Sequence, residues 1–315
     1  EKLFSEIIIA LLLTSMFAAA FSVQPAKATT VDWWPMLHHD ITHTGYSTSP
    51  APTTNQTLWN YTTSNSVLSS PAVADGVVYV GSQDHKVYAL NAATGAQVWN
   101  YTTGNEVYSS PAVADGFVYV GSRDGNVYAL NATTGTSMWN YTTGINVDSS
   151  PAVAGGVVYV GSEDDNVYAL NASTGAQIWN YTTSNSVDSS PAVAGGVVYV
   201  GSDDHNVYAL NATTGAFIWS YTTGSYVDSS TAVAGSVVYV GSEDDNVYAL
   251  NASTGALIWK YTTGVDVDSS TAVAGGVVYV GSDDNKVYAF GSSGASVPEF
   301  SSYVVLPFFA ATTLL

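Results

Sequence analysis

A unit of 40 residues is written six times in this chain, and no other feature constrains its fold so tightly. The tetrapeptide YVGS stands at 79, 119, 159, 199, 239 and 279, and a tryptophan recurs at 59, 99, 139, 179, 219 and 259 without one insertion. A strict period of this size means supersecondary units that stack on or ring one another, because one unit cannot bury its own apolar face. In the third copy four β-type runs (A to D) span Ser149–Ala154, Val157–Ser162, Val167–Ala172 and Gln177–Thr183, separated by GG, EDDN and STGA. The runs are β-branched and aromatic and end at Gly, Asp, Asn and Ser. Runs B and C are almost continuously apolar, as in strands covered on both faces. Run D sets Trp179 and Tyr181 against Asn180 and Thr182, as in an outer strand with one wet face. No stretch shows a helical period.

Four-stranded antiparallel units around an axis make an all-β, six-bladed β-propeller. A linear solenoid would need polar capping repeats, which the terminal copies are not. The repeats open on a lone D run, Thr57–Thr63, and close on a lone A-B-C set ending near Phe290. Pairing these two closes the ring as a composite blade and removes the exposed sheet edges.

The flanks divide the rest of the chain. Lys2, the apolar run Ile7–Phe21 and the small-x-small Ala26–Ala28 read residues 1–28 as a secretory signal peptide. Residues 29–56 are a lead-in, 57–290 the propeller and 291–302 a Gly/Ser linker. Residues 303–315 are apolar but short of the ~20 that a spanning helix needs, and read as a truncated membrane anchor. The expected location is secreted or anchored at the cell surface.

The blade VYVGSxDxxVYALNAxTGxxxW resembles the PQQ-like repeat of quinoprotein dehydrogenases and of outer-membrane assembly lipoproteins of the BamB type. The lead-in WPMLHHDITHTGYS (Trp34–Ser47) is similar to the opening segment of many exported members, and PEF at Pro298–Phe300 resembles archaeal surface-sorting signals. The resemblance implies the propeller fold over Trp34–Phe290. Dehydrogenases of this type usually have eight blades, so six is a departure. They also use a calcium ligand set and usually a vicinal disulfide, and this chain has no Cys. None of their catalytic residues has a matching position here, so no catalytic residue and no PQQ are expected.

Composition points the same way. Six basic residues stand against 25 acidic ones, for a net charge of −19. Such a surface repels nucleic acid and attracts cations or basic partners. An active site needs different residues in different roles at one place, whereas near-identical blades offer the same surroundings six times. A sialidase-like reading of SRDGNVY (Ser122–Tyr128) fails because Arg123 is the only arginine. The expected function is therefore a non-enzymatic, monomeric binding or scaffold module with a protein or glycan ligand. The alternatives are a degenerate quinoprotein and a BamB-type assembly factor.

Copy-to-copy differences locate the candidate site. Two zones vary, the B-C turn (83–86 and its repeats) and the D-A connection (64–68 and its repeats), while the A-B and C-D turns barely change, and in an up-and-down blade both variable zones emerge on one face. That face holds 18 of the 25 acids. The candidate partner surface is Asp84, His85, Arg123, Asp124, Glu163, Asp164, Asp165 and Asp203, continuing through Asp204, His205, Glu243, Asp244, Asp245, Asp283 and Asp284. Within each turn the fixed Asp also has a turn role. Asp148, Asp188, Asp228 and Asp268 are expected at the channel mouth as a calcium-like site, since flexible oxygen clusters suit Ca²⁺. His38, His39, Asp40 and His43 make a zinc-type set by residue type; the alternative is a lead-in strapped against the first or last blade. Trp59, Trp99, Trp139, Trp179, Trp219 and Trp259 are read as packing between blades. Of nine sequons, Asn55, Asn60, Asn100, Asn140 and Asn180 are the glycosylation candidates, and the NAxTG asparagines are expected to cap turns.

Overall fold

The computed structural model describes residues 32–291, apart from 46, 48, 50, 51 and 53. The signal-type segment, linker and anchor lie outside the described residues. Every described strand is β, and the strands form six antiparallel sheets, one per repeat. Blade 1 comprises β1 (Ala72–Ala74), β2 (Val77–Ser82), β3 (Lys86–Asn91) and β4 (Gln97–Thr102). Blade 2 is β5 (Ala112–Ala114), β6 (Phe117–Ser122), β7 (Asn126–Asn131) and β8 (Ser137–Thr142). Blade 3 is β9 (Ala152–Ala154), β10 (Val157–Ser162), β11 (Asn166–Asn171) and β12 (Gln177–Thr182). Blade 4 is β13 (Ala192–Ala194), β14 (Val197–Gly201), β15 (Asn206–Asn211) and β16 (Phe217–Thr222). Blade 5 is β17 (Ala232–Ala234), β18 (Val237–Ser242), β19 (Asn246–Asn251) and β20 (Leu257–Thr262). Blade 6 has three strands, β21 (Ala272–Ala274), β22 (Val277–Ser282) and β23 (Lys286–Gly291).

The inner strand is shorter than its sequence run. Ser149, Ser150 and Pro151 precede β9 and work between blades instead. Ser70 donates its N–H to the Ser110 hydroxyl at 2.9 Å, and the same bond runs on through Ser150, Ser190 and Ser230 to Ser270. Blade faces pack through the B and C strands. Val167 and Ala169 of blade 3 join one core with Val198 and Val200 of blade 4. The tryptophans are the interblade struts read from the sequence. Trp179 donates its indole N–H to the Ala212 carbonyl of the next blade at 2.9 Å. A Cβ on Gly215 would meet that indole at 2.7 Å, so the TG pair of the C-D turn leaves room for the ring. The NAxTG asparagines also act as read: Asn171 Oδ1 accepts the N–H groups of Ser173 and Thr174, each at 3.0 Å.

The glycine of YVGS has its own reason. A Cβ on Gly161 would lie 2.3 Å from the Val187 carbonyl and 2.5 Å from its Cγ1. Gly161→Ala should therefore cost about 1–2 kcal/mol by overpacking. A denaturant melt with no loss would show that the two connections can part.

Two sequence expectations concern how the blades are held together. The first concerns the ring seam. Thr57–Thr63 does dock on blade 1 as a preceding D strand would: Trp59 donates to the Ala92 carbonyl at 2.9 Å, and the Tyr61 ring lies 5.5 Å from Tyr88. Its pairing with β23 is not among the described strand pairs, and β23 carries no fourth strand. The second concerns the lead-in. It is not strapped to one end blade alone but runs along the inner wall of the channel, from the first blade to the last. The carbonyls of Trp34, Pro35, Ile41, Thr42 and Thr44 accept the N–H groups of Val73, Val113, Val193, Val233 and Val273, which are the inner strands of blades 1, 2, 4, 5 and 6. Met36 packs into the core shared by blades 2 and 3. Inner strands have one bare edge facing the axis, and a single extended segment satisfies it.

Candidate functional site at the channel mouth

The zinc-type set does not assemble. His43 is fully buried, and its Nδ1–H donates to the Thr231 carbonyl at 3.2 Å. Burial first, then His38 beside it, pushes its pKa down to about 3, so the ring is neutral. His38 meets His43 edge-on at 5.8 Å, and His39 meets Trp34 at 5.1 Å. The Asp40 carboxylate instead takes the Thr42 N–H and the hydroxyls of Thr42 and Thr44. Positive φ at His38, His39 and His43 turns consecutive rings apart. Among the described residues no three acidic or histidine side chains converge on one point at metal-binding distance.

The variable face does assemble, and its residues sort into three layers. The fixed turn aspartate is a strut with longer reach than its own hairpin. Asp164 accepts the N–H of Gly144 at 2.7 Å, 20 residues earlier, and the Tyr168 hydroxyl at 2.7 Å. Asp84, Asp124, Asp204, Asp244 and Asp284 repeat this with Ser64, Gly104, Ser184, Gly224 and Gly264. These six acids are consumed by the fold. The third turn position is left-handed: His85, Asp165, His205, Asp245 and Asn285 all have φ between 67° and 71°. Gly125 fills it in blade 2. His, Asp, Asn and Gly are the residues that tolerate this backbone, so their variation there follows the turn.

The remaining layer lines the mouth. In blades 1 to 5 the first turn residue meets the last residue of the following D-A connection, 25 positions on. In blade 1, Gln83 donates to the Tyr108 hydroxyl. In blade 2, Arg123 holds Asp148 in a bidentate pair at 2.6 and 3.0 Å, with Glu106 at 3.7 Å and its guanidinium 3.7 Å over the Tyr108 ring. Blades 3 to 5 set acid against acid: Glu163 beside Asp188, Asp203 beside Asp228, and Glu243 beside Asp268. The mouth is therefore polarised, with a neutral and an ion-paired side and an acidic pole.

Burial, then the neighbouring Glu163, Asp148 and Asp228 charges, lift the Asp188 carboxyl to about 7. Burial and the abutting Asp228 carboxyl raise Asp203 as well. Asp268 and Glu243 are raised by burial and by the same cluster. Asp188, Asp203 and Asp228 each keep one buried carboxyl oxygen with no hydrogen-bond partner among the described residues. Such a group costs free energy unless a proton or an incoming cation satisfies it. Of the four expected channel-mouth aspartates, Asp148 is thus taken by Arg123, while Asp188, Asp228 and Asp268 belong to the acidic pole. The ion pair and the acid pairs were missed in the sequence; the 25-residue spacing of Arg123 and Asp148 was the only available signal. The sequon asparagines Asn55, Asn60, Asn100, Asn140 and Asn180 are all exposed, the last three on the outer strands β4, β8 and β12.

Comparison with known proteins bears on the fold. A family model described as outer membrane protein assembly factor BamB matches residues 48–149, 142–231 and 204–297. BamB from Moraxella catarrhalis superposes with a TM-score of 0.64 at 21% identity, over 75% of this chain and 80% of that one. The quinohemoprotein alcohol dehydrogenase of Comamonas testosteroni gives 0.68 at 18%, over 81% of this chain but 58% of its own. The computationally designed Ika8 protein gives 0.65 at 19%, over 71% and 70%. No curated protein matches the sequence significantly.

Proposed function

The chain belongs to the PQQ-like β-propeller family of the outer membrane protein assembly factor BamB, and from that membership we propose that it is an exported, non-enzymatic scaffold of the cell envelope that holds a basic segment of a protein partner at the acidic pole of its channel mouth. The observation that carries this reading is the unequal mouth. Three acid pairs stand side by side on blades 3 to 5, while Arg123 neutralises blade 2. A merely solvated surface has no need to press carboxyls together until one is lifted to about 7. Lysine or arginine side chains entering there would relieve that repulsion and satisfy the partnerless oxygens. Export is supported by the signal-type residues 1–28. A scaffold role is supported by the lead-in, which ties the inner strands of blades 1, 2, 4, 5 and 6 together.

The test is capture of partners from envelope extracts with the wild type and with Asp188→Asn/Asp228→Asn/Asp268→Asn. The expected result is a basic partner retained by the first and lost by the second, with weakened capture at high salt. Equal capture by both would sink the reading, as would stoichiometric quinone absorbance in protein purified from its source.

A divalent cation is the second reading, favoured by the partnerless oxygens of Asp188, Asp203 and Asp228, which would have to draw together around the ion because they do not converge at metal-binding distance as they stand. Melting in CaCl₂ and in NaCl of equal ionic strength separates site binding from screening. A calcium-specific rise in Tm that the triple variant loses is the expected result. Equal Tm values in the two salts would remove calcium from the account.

A further inference from the structure

The rim of the disc is not uniform, and we propose that its corner on blades 4 and 5 docks on a lipid bilayer, with the acidic mouth on the opposite face. The outer strands carry the signal. In blade 5 Ala249 faces Trp259 and Leu250 faces Leu257, so Ile258 is the extra residue of a β-bulge, and it is exposed. Its counterparts in the other copies are Leu58, Val98, Met138, Ile178 and Ile218, all exposed as well. They are always aliphatic but of changing shape, whereas the packed tryptophan beside them never changes. Single exposed aliphatics are ordinary. On blades 4 and 5 alone the preceding residue is also apolar: Phe217 is 53% exposed and Leu257 42%, where the other copies have Thr, Gln or Ser. The Phe217 ring is held on the rim by stacking on Tyr181 at 6.4 Å. Beside Ile218 an uncharged cleft of about 250 Å³ runs between Val197 and Tyr199 of blade 4 and Val233 and Ala252 of blade 5, at the A-B turns.

Three further features fall on the same corner and identify the occupant. Asn60, Asn100, Asn140 and Asn180 stand in NYT sequons on the outer runs, but Ser220 and Lys260 replace them in blades 4 and 5. A glycan would hold a flat surface away from the rim. The other sequon asparagines there, Asn211 and Asn251, spend their side-chain oxygens on N–H groups of their own C-D turns. Between residues 57 and 291 the only acids off the mouth face are Asp75 and Asp115, in the A-B turns of blades 1 and 2; blades 3 to 6 have Gly-Gly or Gly-Ser there. Lys260 is the only basic residue off that face over the same span, and it is exposed. An apolar cluster beside one lysine and free of acid suits the boundary between headgroups and acyl chains. The route of the chain agrees. β23 ends at Gly291, which pairs with Val277 just past the A-B turn of blade 6. The chain therefore leaves the disc on this face, next to blade 5. Residues 292–302 reach at most about 40 Å, and residues 303–315 are the apolar stretch of anchor type. A tether there would hold the corner of blades 4 and 5 against the bilayer and turn the acidic mouth away from it.

The experiment uses the absence of native cysteine. Single variants of the full chain, Ile218→Cys, Ile258→Cys and, at the same position of blade 1, Val98→Cys, carry an environment-sensitive fluorophore. Each is added to phosphatidylcholine vesicles containing a nitroxide-labelled lipid; all three native side chains are exposed. The expected result is a blue shift and quenching at 218 and 258, and neither at 98. Adding Phe217→Gln and Leu257→Gln, the residue type that blades 1 and 3 carry there, should bring the signals at 218 and 258 down toward that at 98 without changing the far-UV circular dichroism. Equal quenching at all three positions, or none, would overturn the proposal, because the protein would then have no preferred corner at the bilayer. Quenching at 218 and 258 that survives the two glutamines would also overturn it. A blue shift at 258 without vesicles, rising with protein concentration, would assign the patch to a second copy and overturn it too. The acidic pole takes no part in this contact, so failure here leaves the reading of the channel mouth standing, and loss of basic-partner capture leaves the lipid contact standing.

Discussion

Trp179→Ala is expected to lower the unfolding free energy by about 3–5 kcal/mol, the range for large aromatic truncations in a core. Trp179 is 7% exposed, lies 5.9 Å from the Tyr159 ring and donates to the Ala212 carbonyl. Truncation opens a cavity between blades 3 and 4 and strands that carbonyl. The site is central in a one-dimensional array, where a weakened junction uncouples the repeats on either side. Ile178→Ala is the control, because the neighbouring side chain faces outward and is 47% exposed; it should cost under about 1 kcal/mol. Chemical denaturation of both variants checks this. A Trp179→Ala loss no larger than that of the control would mean that the indole packs against nothing that matters.

The second large effect is on pH dependence. Asp188 is lifted from 3.8 to about 7, so the folded state keeps a proton that the unfolded chain loses. Its stabilising protonation is therefore intact near pH 4 and is lost as pH rises through 7. His43, held near 3, and His38, also lowered by burial, act in the opposite direction, costing stability as pH falls below about 6.5. The readout must separate these, so it is the stability of Asp188→Asn minus that of the wild type. That difference should grow by about 2–3 kcal/mol between pH 5 and pH 8. The side chain is flanked by Glu163, Asp148, Asp228 and Arg123, and an amide removes its own repulsion with the first three. A difference that stays flat across this range would show that Asp188 ionises as an ordinary surface carboxylate and that the mouth is well hydrated.

The 40-residue period by itself determined the all-β blades, the interblade tryptophans, the turn-capping asparagines and the face on which variation and acid gather. All of these are local or nearest-neighbour properties. Trp179, Gly161 and Asn171 meet the same surroundings in each interior copy, so one pattern read six times identifies their work. Only the tertiary structure decided what the non-repeated residues do. The lead-in has no hydrophobic period, and its route follows an inner wall that exists only once the blades stand together. His38, His39 and His43 looked like ligands by type, yet left-handed backbone turns His39 onto Trp34, while His38 and His43 pack edge-on and Asp40 is taken by Thr42 and Thr44. Arg123 with Asp148, and Glu163 with Asp188, are joined across blade junctions by the interblade geometry, which no local pattern encodes. The seam is likewise beyond local pattern. The count of strand runs balances for a closed ring, but whether the ends meet depends on the angle at each interface. That angle is set by side-chain packing between neighbouring sheets, and its small deviations add up over five junctions.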